Sequence, residues 1–272
     1  MDRPSTQNSS AQLTRALARV LDAGDVAALA TVVEAPRGVG AKILLESTGE
    51  RTGTTGDEAL DAALAEYAHA FLAARAEART LAVEEFAPTL EAWRGARVLF
   101  ERIEPEPRVV VCGAGHVGAA LARLAHAVGY RVTLIDDRED FVARERFPDE
   151  GIELVAAADW TRPVREAIGA GRGVYAAVVT RGHNEDEECM RAVLAARPFY
   201  VGMIGSRRRT NIVLARLREA GFSDEQLGEV RAPVGLDIGA VSPEEVALAI
   251  LAEVVAHRRG GTGAPLSAWR RD

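Results

Sequence analysis

The stretch that decides the fold is Val109-Val110-Val111-Cys112-Gly113-Ala114-Gly115-His116-Val117-Gly118. A β-branched run leads directly into a G-x-G-x-x-G pattern, and the residues that follow favour a helix. In this context Gly113 allows a tight turn, Gly115 lets backbone approach a pyrophosphate, and Gly118 lets the helix pack closely on the strand. The phosphate would face the positive end of the helix, beside His116 and Val117. The stretch therefore predicts a Rossmann-type site for NAD or a similar dinucleotide.

The acidic partner of such a loop is expected about 20 positions further on, at the end of the second strand. Asp136 lies there, 21 positions after Gly115, and its carboxylate is predicted to accept hydrogen bonds from ribose hydroxyls. This favours NAD over NADP, although Arg138 nearby keeps NADP open as an alternative. A second alternative is that the loop only turns a strand into a helix and binds nothing. For His116, a ligand contact and a plain position in the first helical turn are equally favoured.

Strand and helix patterns alternate after the loop, which predicts a parallel sheet covered by helices on both faces. Two prolines in residues 104–107 favour an extended linker. We therefore predict an α/β protein with an α+β N-terminal domain over residues 11–104 and a larger Rossmann-type domain over residues 108–259. In the first domain we expect a helix at 12–21, strands at 27–33 and 42–46, a loop at 52–56, a helix at 57–75 and β-rich pieces at 80–86 and 97–103.

Two further loops of the Rossmann half carry chemistry, because the carboxyl ends of parallel strands meet at one edge of a sheet. Thr180 is followed by Arg181-Gly182-His183-Asn184-Glu185-Asp186, a concentration of polar and titratable groups. The next strand ends at Gly205-Ser206-Arg207-Arg208-Arg209, which suits an anionic group through backbone donors, the helix dipole and guanidinium contacts. Cofactor contacts are accordingly predicted for Thr180, Gly205, Ser206, Arg207 and Arg208.

The candidates for catalysis are His183, Asp186 and Asp237. His183 could transfer a proton or donate a hydrogen bond, whereas Asp186 could simply be a carboxylate in the first turn of a helix. The less favoured alternative for the three arginines is a solvated helix start. Asp237 lies between two glycines in residues 233–239, where backbone packs close to another element or to a ligand. No metal is predicted, because His183 and Asp186 have no third ligand nearby.

Bulk properties narrow the class of protein. The chain has 272 residues and a net charge of −7, with its arginines scattered among acidic residues, so nucleic-acid binding is not expected. No run approaches the ~18 apolar residues of a membrane span, and the N-terminus has no apolar signal core. A cytoplasmic protein without a membrane interaction is predicted. The two cysteines, Cys112 and Cys189, cannot build a disulfide framework and are expected to be thiols.

Taken together, these segments resemble the XdhC/CoxI family of xanthine dehydrogenase accessory proteins, in order and in spacing. The resemblance covers essentially the whole chain and rests on residues 113–118, 136–138, 180–183, 203–208 and 235–239, with residues 28–46 similar to the family's N-terminal domain. It implies a chaperone that binds molybdenum cofactor (molybdopterin), helps it acquire its terminal sulfur and passes it to a molybdenum hydroxylase such as xanthine dehydrogenase. A cysteine desulfurase is implied as a further partner.

One departure from the family pattern is evident. Where members carry a Ser-Gly-Gly-Cys-x-Glu type motif, this chain has Thr54-Thr55-Gly56-Asp57-Glu58-Ala59, so the thiol is missing and the resemblance is that of a diverged member. An NAD-dependent oxidoreductase using His183 and an NAD-sensing regulatory module remain alternative functions. A homodimer is expected by analogy with other Rossmann proteins.

Overall fold

The chain forms two compact units that divide between Pro105 and Glu106, within the proline-containing stretch. The structure is a computed structural model that describes residues 5–267, except for the side chains of residues 5–9 and of His183. Among these residues, no helix is long and apolar enough to cross a membrane.

The N-terminal unit is an antiparallel sheet with a helix on each face. Its elements are α1 (Ser5–Asp22), β1 (Ala27–Glu34), β2 (Lys42–Glu46), β3 (Arg51–Gly53), α2 (Glu58–Ala73), β4 (Ala78–Ala82), α3 (Val83–Phe86) and β5 (Arg97–Ile103). The strands are ordered β3-β2-β1-β5-β4. Leu64 and Phe71 of α2 bury one face of the sheet, and Val20 of α1 packs on Leu44 at the other.

Three elements of this unit differ from the sequence prediction. The first helix is predicted over 12–21, but α1 begins at Ser5. Residues 80–86 were predicted to be β-rich, but β4 ends at Ala82 and a helical turn follows, because the Glu85 carboxylate accepts a hydrogen bond from the Ala82 amide (2.8 Å). The predicted loop at 52–56 contains part of β3, which pairs with β2. A polar strand of three residues has no hydrophobic alternation that the sequence could reveal.

The C-terminal unit is a parallel sheet between two layers of helices. Its elements are β6 (Arg108–Cys112), α4 (His116–Ala127), β7 (Arg131–Asp136), β8 (Ile152–Ala156), α5 (Thr161–Ile168), β9 (Val174–Val178), α6 (His183–Ala196), β10 (Tyr200–Met203), α7 (Arg207–Glu219), α8 (Asp224–Gly228) and α9 (Pro243–Arg259). The strand order is β10-β9-β6-β7-β8, and every pairing is parallel.

Strands buried on both faces explain why the sequence shows continuous apolar runs here rather than alternation. Leu121 of α4 and Ile250 of α9 belong to the core on one face, while Val164 of α5 and Met190 of α6 belong to the core on the other. The predicted fold class, a Rossmann-type parallel sheet domain with a smaller α+β domain before it, is confirmed.

The strand order reverses between β6 and β9. The chain runs outwards from β6 through β7 to β8, returns through α5, and continues on the other side with β9 and β10. Open α/β sheets bind ligands at such a reversal, outside the carboxyl ends of the strands. The loops that follow β6, β7, β9 and β10 all meet at this edge, which we call the switch-point crevice.

Candidate functional site

The glycine loop after β6 has the close approaches that the sequence predicts for Gly113 and Gly118. Gly113 has a φ of +110°, and a Cβ atom there would lie 2.6 Å from the Val179 carbonyl oxygen at the end of β9. A Cβ atom at Gly118 would overlap the Gly113 carbonyl oxygen. These two glycines are therefore required by the backbone alone, with or without a ligand.

Gly115 is different, because a Cβ atom there would meet nothing within 4 Å. It precedes α4, and the amides of Gly115, His116 and Val117 donate no hydrogen bond to the described part of the chain. His116 is exposed and Val117 is half-buried. The outer side of the loop thus presents open space and backbone donors at the positive end of a helix, which fits a phosphate group.

Asp136 is placed differently from a ribose acceptor that faces solvent. It is only 1% exposed, and its carboxylate accepts hydrogen bonds from the Ala114 amide (2.6 Å) and from the backbone and guanidinium of Arg138 (2.8–3.0 Å). Burial opposes ionisation of Asp136, but the bonds from Arg138 and Ala114 outweigh it and lower the pKa of the carboxyl.

The four donors leave the Asp136 carboxylate little capacity for another partner. Arg138 is itself fixed, since its guanidinium lies 3.4 Å from the centre of the Phe141 ring. A ribose contact by Asp136 stays a prediction, and it would require Arg138 to move. What Asp136 does in this conformation is hold the glycine loop to the end of β7.

Two residues that are not among the predicted site residues, Arg181 and Asp137, pair with each other from the ends of β9 and β7, the strands on either side of β6. The Arg181 guanidinium, after β9, donates to both carboxylate oxygens of Asp137, after β7, at 3.0 and 2.8 Å. The Nε atom of Arg181 lies 3.3 Å from Glu185 in the first turn of α6. Both charges were visible at strand ends in the sequence, but their pairing depends on the strand order.

Asp186 lies beneath the crevice and not in it. Its side chain is fully buried, accepts a short hydrogen bond from the Thr180 hydroxyl, and lies 2.5 Å from the Arg209 guanidinium. Arg209 also donates to the Thr180 carbonyl oxygen (3.3 Å). This placement ties β9, α6 and α7 together and favours a structural role for Asp186 over a catalytic one.

The arginine cluster after β10 divides into one inward and two outward members. Arg209 takes part in the buried pair with Asp186, whereas Arg207 and Arg208 are exposed and form no ion pair with any described residue. Ser206 caps α7 by accepting a hydrogen bond from the Arg209 amide (3.2 Å), and Gly205 has a φ of +152°. Arg207 and Arg208 are thus the pair available to an anion.

The remaining candidates are His183 and Asp237. His183 is the first residue of α6, and its side chain lies outside the described residues. Asp237 is exposed. The Val234 amide bonds to the carbonyl of Met203, the last residue of β10, so the chain continues past the carboxyl end of the sheet towards Asp237. No hydrogen bond or ion pair joins Asp237 to the other candidates among the residues that the structure describes.

Residues 54–59, where the resembled family carries a cysteine, form a hydrogen-bonded helix start in the N-terminal unit. Asp61, which is 3% exposed, accepts hydrogen bonds from the hydroxyls of Thr54 (2.6 Å) and Thr55 (2.5 Å). Asp57 caps α2 and also accepts a hydrogen bond from the Trp93 indole (2.9 Å). The indole bond, together with the amide bonds of the helix start, lowers the pKa of Asp57.

Neither cysteine of the chain replaces the missing thiol. Cys112 in β6 and Cys189 in α6 are both fully buried, and the two side chains are neighbours. Burial, with a smaller contribution from Cys112, raises the pKa of the Cys189 thiol well above its usual range. Within residues 5–267, apart from the side chains excluded above, no three His, Cys, Asp or Glu side chains are grouped to hold a metal ion.

The family of the chain follows from comparison with known proteins. The XdhC Rossmann domain family matches residues 109–254, more than half of the chain, and the XdhC and CoxI family matches residues 20–84. A crystal structure of a xanthine dehydrogenase from Bacillus halodurans shares the fold with a TM-score of 0.64 at 21% identity, over 92% of this chain and 68% of that one.

Among curated relatives, the chain is 31% identical over 157 residues to the uncharacterized protein YqeB of Escherichia coli (strain K12), over 58% of this chain and 28% of that protein. It is 28% identical to a probable subunit of xanthine dehydrogenase from Bacillus subtilis (strain 168), over 60% of this chain and 46% of that protein. It is 39% identical over 75 residues to the molybdenum cofactor insertion chaperone PaoD of Escherichia coli (strain K12), a match that covers 28% of this chain and 24% of that protein. The matches span less than half of each relative. With both of its units matched, the chain belongs to the XdhC and CoxI family.

Proposed function

We propose that the chain is an accessory factor that binds molybdenum cofactor and delivers it to a molybdenum hydroxylase of the xanthine dehydrogenase type. The observation that carries the proposal is family membership in both units, together with relatives named as a probable subunit of xanthine dehydrogenase and as a molybdenum cofactor insertion chaperone. Binding in the switch-point crevice is part of the proposal.

The chemistry of the crevice supports this use. Molybdopterin carries a phosphate, and the free amides of Gly115, His116 and Val117 would hold it at the positive end of α4. The exposed guanidinium groups of Arg207 and Arg208 would add charge-assisted hydrogen bonds from the loop after β10. When bound, the cofactor supplies the molybdenum centre of the client enzyme, and the role of this chain is to hold and orient it.

Sulfuration of the cofactor, in this proposal, depends on a partner. A thiol must reach solvent as a thiolate to carry sulfur, and both cysteines are buried, with the pKa of Cys189 raised. We therefore propose that a cysteine desulfurase supplies the sulfur while this chain keeps the cofactor accessible. A variant with both Cys112 and Cys189 replaced by Ala would then retain delivery.

The test is transfer of cofactor to a cofactor-free hydroxylase, measured as recovered hydroxylase activity. The chain should restore activity, and Gly115→Ala should not, because its methyl group occupies the space that a phosphate needs. Gly228→Ala is the matched control, since a Cβ atom at Gly228 also meets nothing within 4 Å. Equal transfer by the wild type and Gly115→Ala would contradict the proposed site, and no transfer by the wild type would contradict the function.

A second candidate, an NAD-dependent oxidoreductase or NAD-sensing module, is favoured by the same free amides, which suit a pyrophosphate. An oxidoreductase should transfer hydride to or from NAD over a panel of alcohols and aldehydes, and His183→Ala should abolish that activity. A sensing module should instead change its affinity for a partner when NAD is added. Absence of both effects would exclude this candidate.

A further inference from the structure

The pairing of Arg181 with Asp137 places an ion pair across the mouth of the crevice. The two residues follow β9 and β7, which are the strands on either side of β6. Two strand spacings separate them by about 10 Å, so the side chains must reach towards each other over the loop that follows β6. A ligand seated on the glycine loop therefore meets this pair.

The pair is accessible and weak enough to open. The side chain of Arg181 is 47% exposed and that of Asp137 is 29% exposed. Exposed ion pairs contribute little to stability, whereas a guanidinium binds phosphate through two parallel charge-assisted hydrogen bonds. Glu185 lies beside Nε of Arg181, so the Nη atoms could turn to a phosphate while Nε keeps its contact.

We propose that Arg181 and Asp137 exchange partners when a phosphate-bearing ligand binds. Arg181 passes from the Asp137 carboxylate to the ligand's phosphate, and the released Asp137 accepts hydrogen bonds from the ligand's hydroxyl or N–H groups. Asp136 cannot take that second role while Arg138 and Ala114 fill its carboxylate. This inference rests on the proposed use of the crevice for a phosphate-bearing ligand, and it does not depend on the client enzyme.

Two probes separate the two roles of Asp137, which competes with the phosphate for Arg181 and accepts hydrogen bonds from the ligand. Inorganic pyrophosphate offers phosphate alone, and NADH offers phosphate together with ribose hydroxyls. Affinities would be measured by titration calorimetry for pyrophosphate and by nucleotide fluorescence for NADH, at low ionic strength. The variants are Asp137→Asn and Arg181→Ala. Asp224→Asn is the matched control, since it removes the same charge from an exposed pair with Arg218, at the far end of α7 from the crevice.

Loss of the competing carboxylate in Asp137→Asn should tighten pyrophosphate binding about fivefold, which corresponds to about 1 kcal/mol. The same variant should bind NADH no more tightly than the wild type, because the gain at the phosphate is offset when the ribose hydroxyls meet a neutral amide oxygen in place of the charged carboxylate. Arg181→Ala should weaken both probes about tenfold. Asp224→Asn should change neither by more than about twofold.

Three results would overturn the inference. Unchanged or weaker pyrophosphate binding by Asp137→Asn would exclude the exchange, and equal changes for both probes would exclude Asp137 as an acceptor. Failure of the wild type to bind either probe would exclude a phosphate ligand that opens the pair. The cofactor-transfer assay is scored separately, so failure of this inference is distinguishable from failure of the proposed function.

Discussion

Replacing Asp186 by Ala is expected to destabilise the Rossmann unit severely, although the Asp186 side chain is buried and does not face the crevice. The carboxylate is fully buried and holds the Thr180 hydroxyl and the Arg209 guanidinium. Breaking a buried ion pair by removing one partner costs about 3–5 kcal/mol. Because the Arg209 side chain is 22% exposed, its freed charge regains some water, and we expect a loss near the lower end, about 3 kcal/mol.

The loss would be measured by urea unfolding of the full chain, followed by circular dichroism. Glu187→Ala is the control, because Glu187 lies in the same helix and pairs with Arg191 and Arg216 near the surface, so its loss should stay within about 1 kcal/mol. Asp186→Asn keeps the side-chain volume and one hydrogen-bond acceptor, so it should lose less of the free energy of unfolding. It takes the place of Asp186→Ala in the measurement if Asp186→Ala does not fold. An Asp186→Ala protein as stable as Glu187→Ala but unable to bind ligand would refute the structural role.

Three further predictions concern the glycine loop after β6, the pH dependence of stability and the N-terminal unit. Gly118→Ala should unfold more readily than wild type in urea because its methyl group overlaps the Gly113 carbonyl, whereas Gly115→Ala should keep its stability and lose only ligand binding; equal destabilisation would contradict this. The lowered pKa of Asp136 means that its contribution to stability is complete above its unfolded pKa of about 3.9 and is lost as pH falls through the lower folded value. The difference in unfolding free energy between wild type and Asp136→Asn should therefore shrink below about pH 4, and a constant difference down to pH 3 would argue against the linkage. Asp57→Ala removes the cap of α2 and should lower the free energy of unfolding by about 1 kcal/mol, with an unchanged urea midpoint as the contrary result.

The parts of the fold that the sequence predicts correctly are those that local chemistry determines. The β-branched run before Gly113 and the helix-forming run after it define β6, the loop and α4. α9 begins at Pro243, directly after Ser242, whose side chain forms with Glu245 a reciprocal capping box that can be read from the sequence alone. Each of these signals lies within a few residues of the feature it predicts.

The site is less predictable, because its geometry depends on contacts between distant residues. Arg181 and Asp137 are 44 positions apart and meet only because β7 and β9 flank β6. The inward turn of Arg209, away from Arg207 and Arg208, follows from the burial of Asp186, which no periodicity reveals. A spacing rule placed Asp136 at the correct strand end, but it could not show that Arg138 would occupy the carboxylate.

The most direct test of the account is native mass spectrometry of the chain freshly purified from its own source, with Gly115→Ala prepared in parallel. We predict a retained small molecule with the mass of a molybdenum-pterin phosphate in the wild type and its loss in Gly115→Ala, with both proteins folded. A wild-type chain that retains NAD alone, or a Gly115→Ala chain that retains the pterin equally, would contradict the account.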